Sequence, residues 1–210
     1  MTFPNAEVAR LAVHPWVTAV FPGSAGALVL LNLAGLLRLR GGGRQALLNQ
    51  LQAALEQPAG NAPVHLRLLD GAPAETGVAA VDRLLDTPRP SCAIALAETE
   101  RDGHWKLSLL LPLELTQFDG HFPQAPVLPG VLQIAWALAL AAPRLATSMR
   151  CRDMKGLKFQ RLLHPGDRVD LSLCLDRELP TAHDASLHFS YRVDGTHCSS
   201  GRLLVGRSSD

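Results

Sequence analysis

One histidine of this chain stands where an imidazole could move a proton. His121 lies in the loop Phe118-Asp119-Gly120-His121-Phe122-Pro123-Gln124-Ala125-Pro126-Val127-Leu128-Pro129-Gly130, and the apolar run Val131-Leu132-Gln133-Ile134-Ala135-Trp136 follows directly. An imidazole titrates near neutral pH. Phe122, Pro123, Pro126 and Pro129 would fix its direction and exclude water, because each proline locks a backbone angle. Gly130 opens the apolar helix, so the free amides and dipole of the helix start offer a place for negative charge developing on an oxygen. His14, His65, His104, His183, His188 and His197 are scattered and show no H-E-x-x-H spacing, so no metal site is expected. His164-Pro165-Gly166-Asp167 reads as a tight turn before a strand.

The string G-H-F-P-x-x-P-V-L-P-G-V of residues 120–131 resembles the active-site loop of hot-dog-fold beta-hydroxyacyl-[acyl carrier protein] dehydratases of the FabZ/FabA type. Its tail, V-L-Q-I-A-W-A, is similar to the ApeI-like dehydratases of aryl polyene pathways. The resemblance extends from about Ser91 to Gly206 and takes in Leu157-Lys158-Phe159-Gln160-Arg161 and Gly201-Arg202-Leu203. It implies an α+β hot-dog fold and the removal of water from a 3-hydroxyacyl thioester. That reaction needs a base for the proton beside the carbonyl, a donor for the enolate oxygen and an acid for the leaving hydroxide.

On the resemblance, His121 is the base and Gly130 the oxyanion donor, while Phe122, Pro129, Val131, Gln133, Ala135 and Trp136 line the substrate site; no cofactor is implied. Trp136 and Gln133 would face an acyl tunnel, although a tryptophan on such a helix also suits the core. The resembling families carry Glu or Asp where this chain has Ala135. Loss of a positioned acid costs ~10²- to 10⁴-fold in rate, so a homodimer is expected to be slow or inactive. Asp119 either caps the loop or replaces the acid. In the resembling families each site draws its histidine and its acid from different subunits. The expected partners are therefore an acyl carrier protein or coenzyme A thioester and a second hot-dog subunit, in a homodimer or a heterodimer. A non-catalytic acyl-thioester-binding protein is the alternative from outside enzymology, and Ala135 also weakens a thioesterase reading.

The elements around this loop divide in two. Asp86-Thr87-Pro88-Arg89-Pro90-Ser91 breaks the pattern, giving a region 1–86, a linker 87–91 and a hot-dog domain 92–210 with an antiparallel sheet around one long apolar helix. Upstream, helices are expected over Pro4–Val13 and Gly43–Glu56 and a strand over Val64–Leu69, with Ala25–Leu33 a short apolar segment. Downstream, strands are expected over Cys92–Ala97, Trp105–Leu111, Lys155–Leu162, Arg168–Leu175, Ala185–Val193 and His197–Val205, with a helix from Gly130 ended by Pro143. Region 1–86 is read as a small α/β subdomain. Val8-Ala9-Arg10-Leu11-Ala12-Val13-His14-Pro15-Trp16-Val17, with the later helix and strand, resembles the C-terminal subdomain of adenylate-forming acyl-CoA and acyl-carrier ligases. That family's Gly-Lys corresponds here to Gly77-Val78, so adenylation is not expected. Docking of a carrier and a purely structural role both remain open for this region.

Twenty basic and nineteen acidic side chains give a net charge of +1 with no block of one sign, which argues against nucleic acid. Gly26–Leu39 and Val131–Ala142 fall short of the ~20 residues that cross a bilayer. Met1–Glu7 lacks a basic start and an apolar stretch, so a cytoplasmic location is expected. Cys92, Cys151, Cys174 and Cys198 have no C-x-x-C spacing and are expected as small buried hydrophobes.

Overall fold

The computed structural model describes residues 5–55, 64–120, 125–176 and 184–207. They form two compact units, Met1–Cys92 with Pro112–Val127, and Ala93–Leu111 with Leu128–Asp210. The stretch from Pro112 to Val127, which sequence alone assigns to the second domain, thus packs with the first unit.

The first unit runs α1 (Asn5–Ala12), β1 (Val17–Pro22), β2 (Gly26–Leu31), α2 (Leu33–Ala53), β3 (His65–Leu69) and α3 (Val78–Asp86). The sheet order is β1-β2-β3, antiparallel then parallel, which leaves β3 at an edge. Helix α2 begins ten residues before the expected Gly43. Asn32 supplies its N-cap, the side chain accepting the Gly35 amide at 3.0 Å. Gly43, at φ 80° and ψ 165°, instead breaks the helix midway, a conformation that favours glycine. Leu11, Val29, Leu39, Leu51 and Leu66 fill the core between helices and sheet.

The second unit is an antiparallel sheet of order β4-β5-β7-β8-β9-β6 with one helix against it. Its elements are β4 (Ile94–Arg101), β5 (His104–Leu110), α4 (Gly130–Leu145), β6 (Thr147–Phe159), β7 (Arg168–Leu175), β8 (Asp184–Val193) and β9 (Thr196–Arg207). Asp102-Gly103 and Asp194-Gly195, all four at positive φ, make the two-residue turns between β4 and β5 and between β8 and β9. Along β8, buried Ala185, Leu187, Phe189, Tyr191 and Val193 alternate with more exposed residues, as a strand with one core face requires. This is the α+β hot-dog arrangement, an antiparallel sheet with a long apolar helix against one face.

Three details differ from the sequence reading. Helix α4 passes Pro143 and ends two residues later, where Ala146 adopts the left-handed conformation at φ 50° and its amide bonds Ala142. A proline this close to the end removes a single intrahelical bond. Strand β6 starts at Thr147 rather than Lys155. As an edge strand exposed along most of its length, it shows no alternation to read. Of the four free cysteines only Cys198 is buried; Cys92 is exposed, and Cys151 and Cys174 are partly so.

Candidate active site

Helix α4 starts without a side-chain cap. Pro129 occupies the N-cap position, and Leu132 and Gln133 donate their amides to its carbonyl at 3.0 and 3.2 Å. The amides of Gly130 and Val131 lie in the first turn, where no intrahelical acceptor exists. Pro129 is buried, and Leu128 beside it donates to Leu163 O at 2.8 Å, which pins the entry to the helix. Gly130 is required by packing: a Cβ there would sit 2.7 Å from Cε1 of Phe159. Gly130→Ala is expected to destabilise the protein by about 1 kcal/mol, at the low end for overpacking because the half-exposed Phe159 ring can yield. Thermal melting checks this, and Phe159→Leu in the same chain should recover the loss if the ring is the cause.

Gln133 ties this helix to the sheet. Its Nε2 donates to Leu128 O at 3.1 Å, Ser199 Oγ donates to its Oε1 at 2.5 Å, and Tyr191 OH donates to its backbone oxygen at 2.8 Å. Tyr191 is buried, and burial pushes its phenol far above the ordinary value, so it is a neutral donor. Protein groups satisfy both ends of the Gln133 amide, leaving only its methylenes to meet an acyl chain. Val131 and Ala135 point the other way, sharing an exposed stripe with Ala139 at i, i+4 spacing. Trp136 is half-buried, in line with Leu132 and Leu140. The sequence-predicted residues on this helix therefore divide between an open face and a sealed one. His121 and Phe122 lie outside the described residues.

The stretch that leads into His121 belongs to the first unit and is held there by Glu114. This carboxylate is 3 % exposed. Its Oε1 accepts the Leu68 amide of edge strand β3 at 2.8 Å, and its Oε2 pairs with Arg44 Nε at 2.7 Å and Arg89 Nε at 3.0 Å. Arg89 also donates to Glu114 O at 3.0 Å and pairs with Asp119. One residue earlier, the Leu113 amide donates to Asp70 Oδ1 at 2.8 Å. Burial holds the Asp70 carboxyl above its usual range, with the Glu114 charge adding to the effect. Asp119 is thus engaged by Arg89. Sequence reasoning missed Glu114, Arg44 and Arg89; the available signal was a lone acid within Leu111-Pro112-Leu113-Glu114-Leu115, which burial could hold only with partners.

Residues 97–202 match the family described as ApeI-like, ApeI dehydratase. Among curated proteins, the 3-hydroxyacyl-[acyl-carrier-protein] dehydratase FabZ of Anaeromyxobacter dehalogenans is 37% identical over 98 residues, 40% of this chain and 62% of that protein. FabZ of Sorangium cellulosum is 34% identical over 101 residues, 42% of this chain and 61% of that protein. The chain spans less than two thirds of the length of these curated relatives. Among solved structures, the dehydratase heterocomplex ApeI:P from Xenorhabdus doucetiae shares 29% identity, covering 55% of this chain and 99% of that one with a TM-score of 0.48.

Proposed function

The chain belongs to the ApeI-like dehydratase family, and on that premise we propose that it is a 3-hydroxyacyl-[acyl carrier protein] dehydratase subunit whose site a second hot-dog subunit completes. His121 takes the proton from the carbon beside the thioester carbonyl. The Gly130 and Val131 amides hold the enolate oxygen. A carboxylic acid on the partner's helix protonates the departing hydroxide, leaving an enoyl thioester and water. The substrate is carried by an acyl carrier protein or coenzyme A, in polyene or fatty-acid-type chain elongation in the cytoplasm. No helix among the described residues is long and apolar enough to cross a membrane.

One observation carries this reading: Ala135, at the position of the missing acid, stands in an exposed apolar stripe on α4. Strand β6, packed beside this helix, is an open sheet edge that exposes Met149, Met154 and Phe159. Open edges and apolar patches of this kind are where proteins meet partners. The first unit is read as a remnant of an adenylate-forming ligase. Gly77 caps α3 and Val78 follows where the ligases place lysine, so a carrier-docking role suits it better than acyl activation.

The test is complementation. The chain is mixed with an acid-bearing hot-dog dehydratase subunit whose own loop histidine has been replaced by alanine, and enoyl thioester formation is followed. Neither protein alone should turn over appreciably. The mixture should, and His121→Ala in this chain should reduce the mixed activity ~10²- to 10⁴-fold. A mixture that associates but stays inactive would reject the dehydratase role and leave a non-catalytic acyl-thioester-binding protein, the second reading that Ala135 supports.

A further inference from the structure

On the face of the six-stranded sheet opposite buried Leu171, Leu187 and Leu203, a groove of about 520 Å³ crosses β7, β8, β9 and β6. The described residues lining it include Lys158, His188, Arg192, His197 and Arg202, and none is acidic. In a chain whose twenty basic and nineteen acidic groups nearly cancel, folding has sorted charge here. Strand alternation explains how: residues 172 and 174 of β7, 188, 190 and 192 of β8, and 200 and 202 of β9 face one side. Gly156, at φ 60°, sits in an irregularity of β6 that brings Lys158 opposite Ser200.

Neighbouring carboxylates on this face are already engaged. Asp170, opposite Arg192, pairs with Lys106 at 3.0 Å; Asp184 pairs with Arg152 at 2.8 Å; and Asp176 lies 3.5 Å from His188 Nε2. Arg192 Nη1 donates to Gly195 O at 3.1 Å, and His197 Nδ1 is 2.9 Å from Gln160 Oε1, which holds both side chains at the rim. Among the described residues no acid pairs with Lys158 or Arg202. Ser200 stands opposite Lys158 and two residues before Arg202 on β9, with Ser190 beside it on β8.

We infer that this groove binds a phosphate ester of small-molecule size, its phosphate held by Lys158 and Arg202 and its organic part lying toward Ser172, Cys174 and His188. An arginine fork takes phosphate oxygens two at a time, a lysine adds a point charge, and serine hydroxyls donate to the remaining oxygens. Two full positive charges with flanking hydroxyls suit a phosphate dianion better than a carboxylate. The volume falls within the ~300–1,000 Å³ of small-molecule sites. The inference concerns binding alone and does not rest on the dehydratase reading.

Calorimetric titration of the full chain with inorganic phosphate, ADP, coenzyme A and acetate tests it. ADP or coenzyme A should bind with sub-millimolar affinity, weakening steeply with salt, while acetate should not bind. Inorganic phosphate binding equally well would assign the site to the free ion, and weaker binding would assign it to the ester. Lys158→Ala with Arg202→Ala should weaken binding at least tenfold. Both side chains are exposed, so the fold should persist, and Arg101→Ala, outside the groove, should change nothing. The inference is overturned if no phosphate compound binds below 10 mM, if the double variant binds as the parent does, or if polyglutamate displaces ADP at matched charge. The last result would mark the groove as a seat for an acidic protein.

Discussion

Ala135→Asp is expected to raise dehydration by the chain on its own by ~10²- to 10⁴-fold, the contribution of one positioned general acid. The residue is exposed on α4, so the change removes no core contact. Its direct cost is a helix-propensity difference of about 0.5 kcal/mol. Val131 and Ala139 flank it, and if the proposed second subunit covers this stripe the new carboxyl sits among apolar groups. Burial of that kind favours the protonated form, which is what a donor to leaving hydroxide must be. Ala135→Asn is the control, since it matches the shape and hydrogen bonding without supplying a proton. Enoyl thioester formation measured for parent, Ala135→Asp and Ala135→Asn gives the answer. Equal rates for all three would show that something other than the acid is missing, and a gain that survives His121→Ala would remove the histidine from the mechanism.

Glu114→Ala should destabilise the protein by about 3 kcal/mol, the lower end for breaking a buried ion pair. The variant leaves two guanidinium groups facing each other and the Leu68 amide without its acceptor. Arg44 and Arg89 are 17% and 23% exposed, so water reaches them and moderates the loss. Glu114→Gln keeps an acceptor for Leu68 and removes the charge, and should fall between the parent and the alanine variant. Urea midpoints for the three proteins decide the order. Replacing Glu114 and Arg44 together by leucine and methionine should recover part of the loss, because an apolar pair fills the space without stranding a charge. If Glu114→Ala melts within about 0.5 kcal/mol of the parent, the clamp is a surface contact of the ordinary kind.

The second unit's sheet was legible because its signals are local. Asp102-Gly103 and Asp194-Gly195 announce hairpins, and β8 alternates cleanly. Other features were hidden for physical reasons. The start of α2 continues the leucines of β2, so only Asn32 marked the boundary. Strand β6 lies at an edge with both faces exposed, so hydrophobic period could not show it. The partners of Glu114 are 25, 46 and 70 residues away in sequence, and no spacing rule reaches that far. The basic groove takes its basic side chains from β6, β8 and β9, only one or two from each, so no single stretch of sequence shows the cluster. The fate of Gln133 was equally invisible, since its partners Ser199 and Tyr191 come from the far end of the chain.

The assignment of Pro112–Val127 to the first unit has a consequence for synthesis. A chain emerging from the ribosome makes α1 through α3 first, yet Leu68 and Arg44 lack their Glu114 partner until β4 and β5 have also been made. Domains generally fold as units during synthesis; here the earlier unit waits for a splint encoded within the later one. Cutting the chain at residue 92 to isolate the family-like half would carry Glu114 away from Arg44, Arg89 and Leu68. The fragment would then begin life with an orphaned acid in the segment that leads to His121.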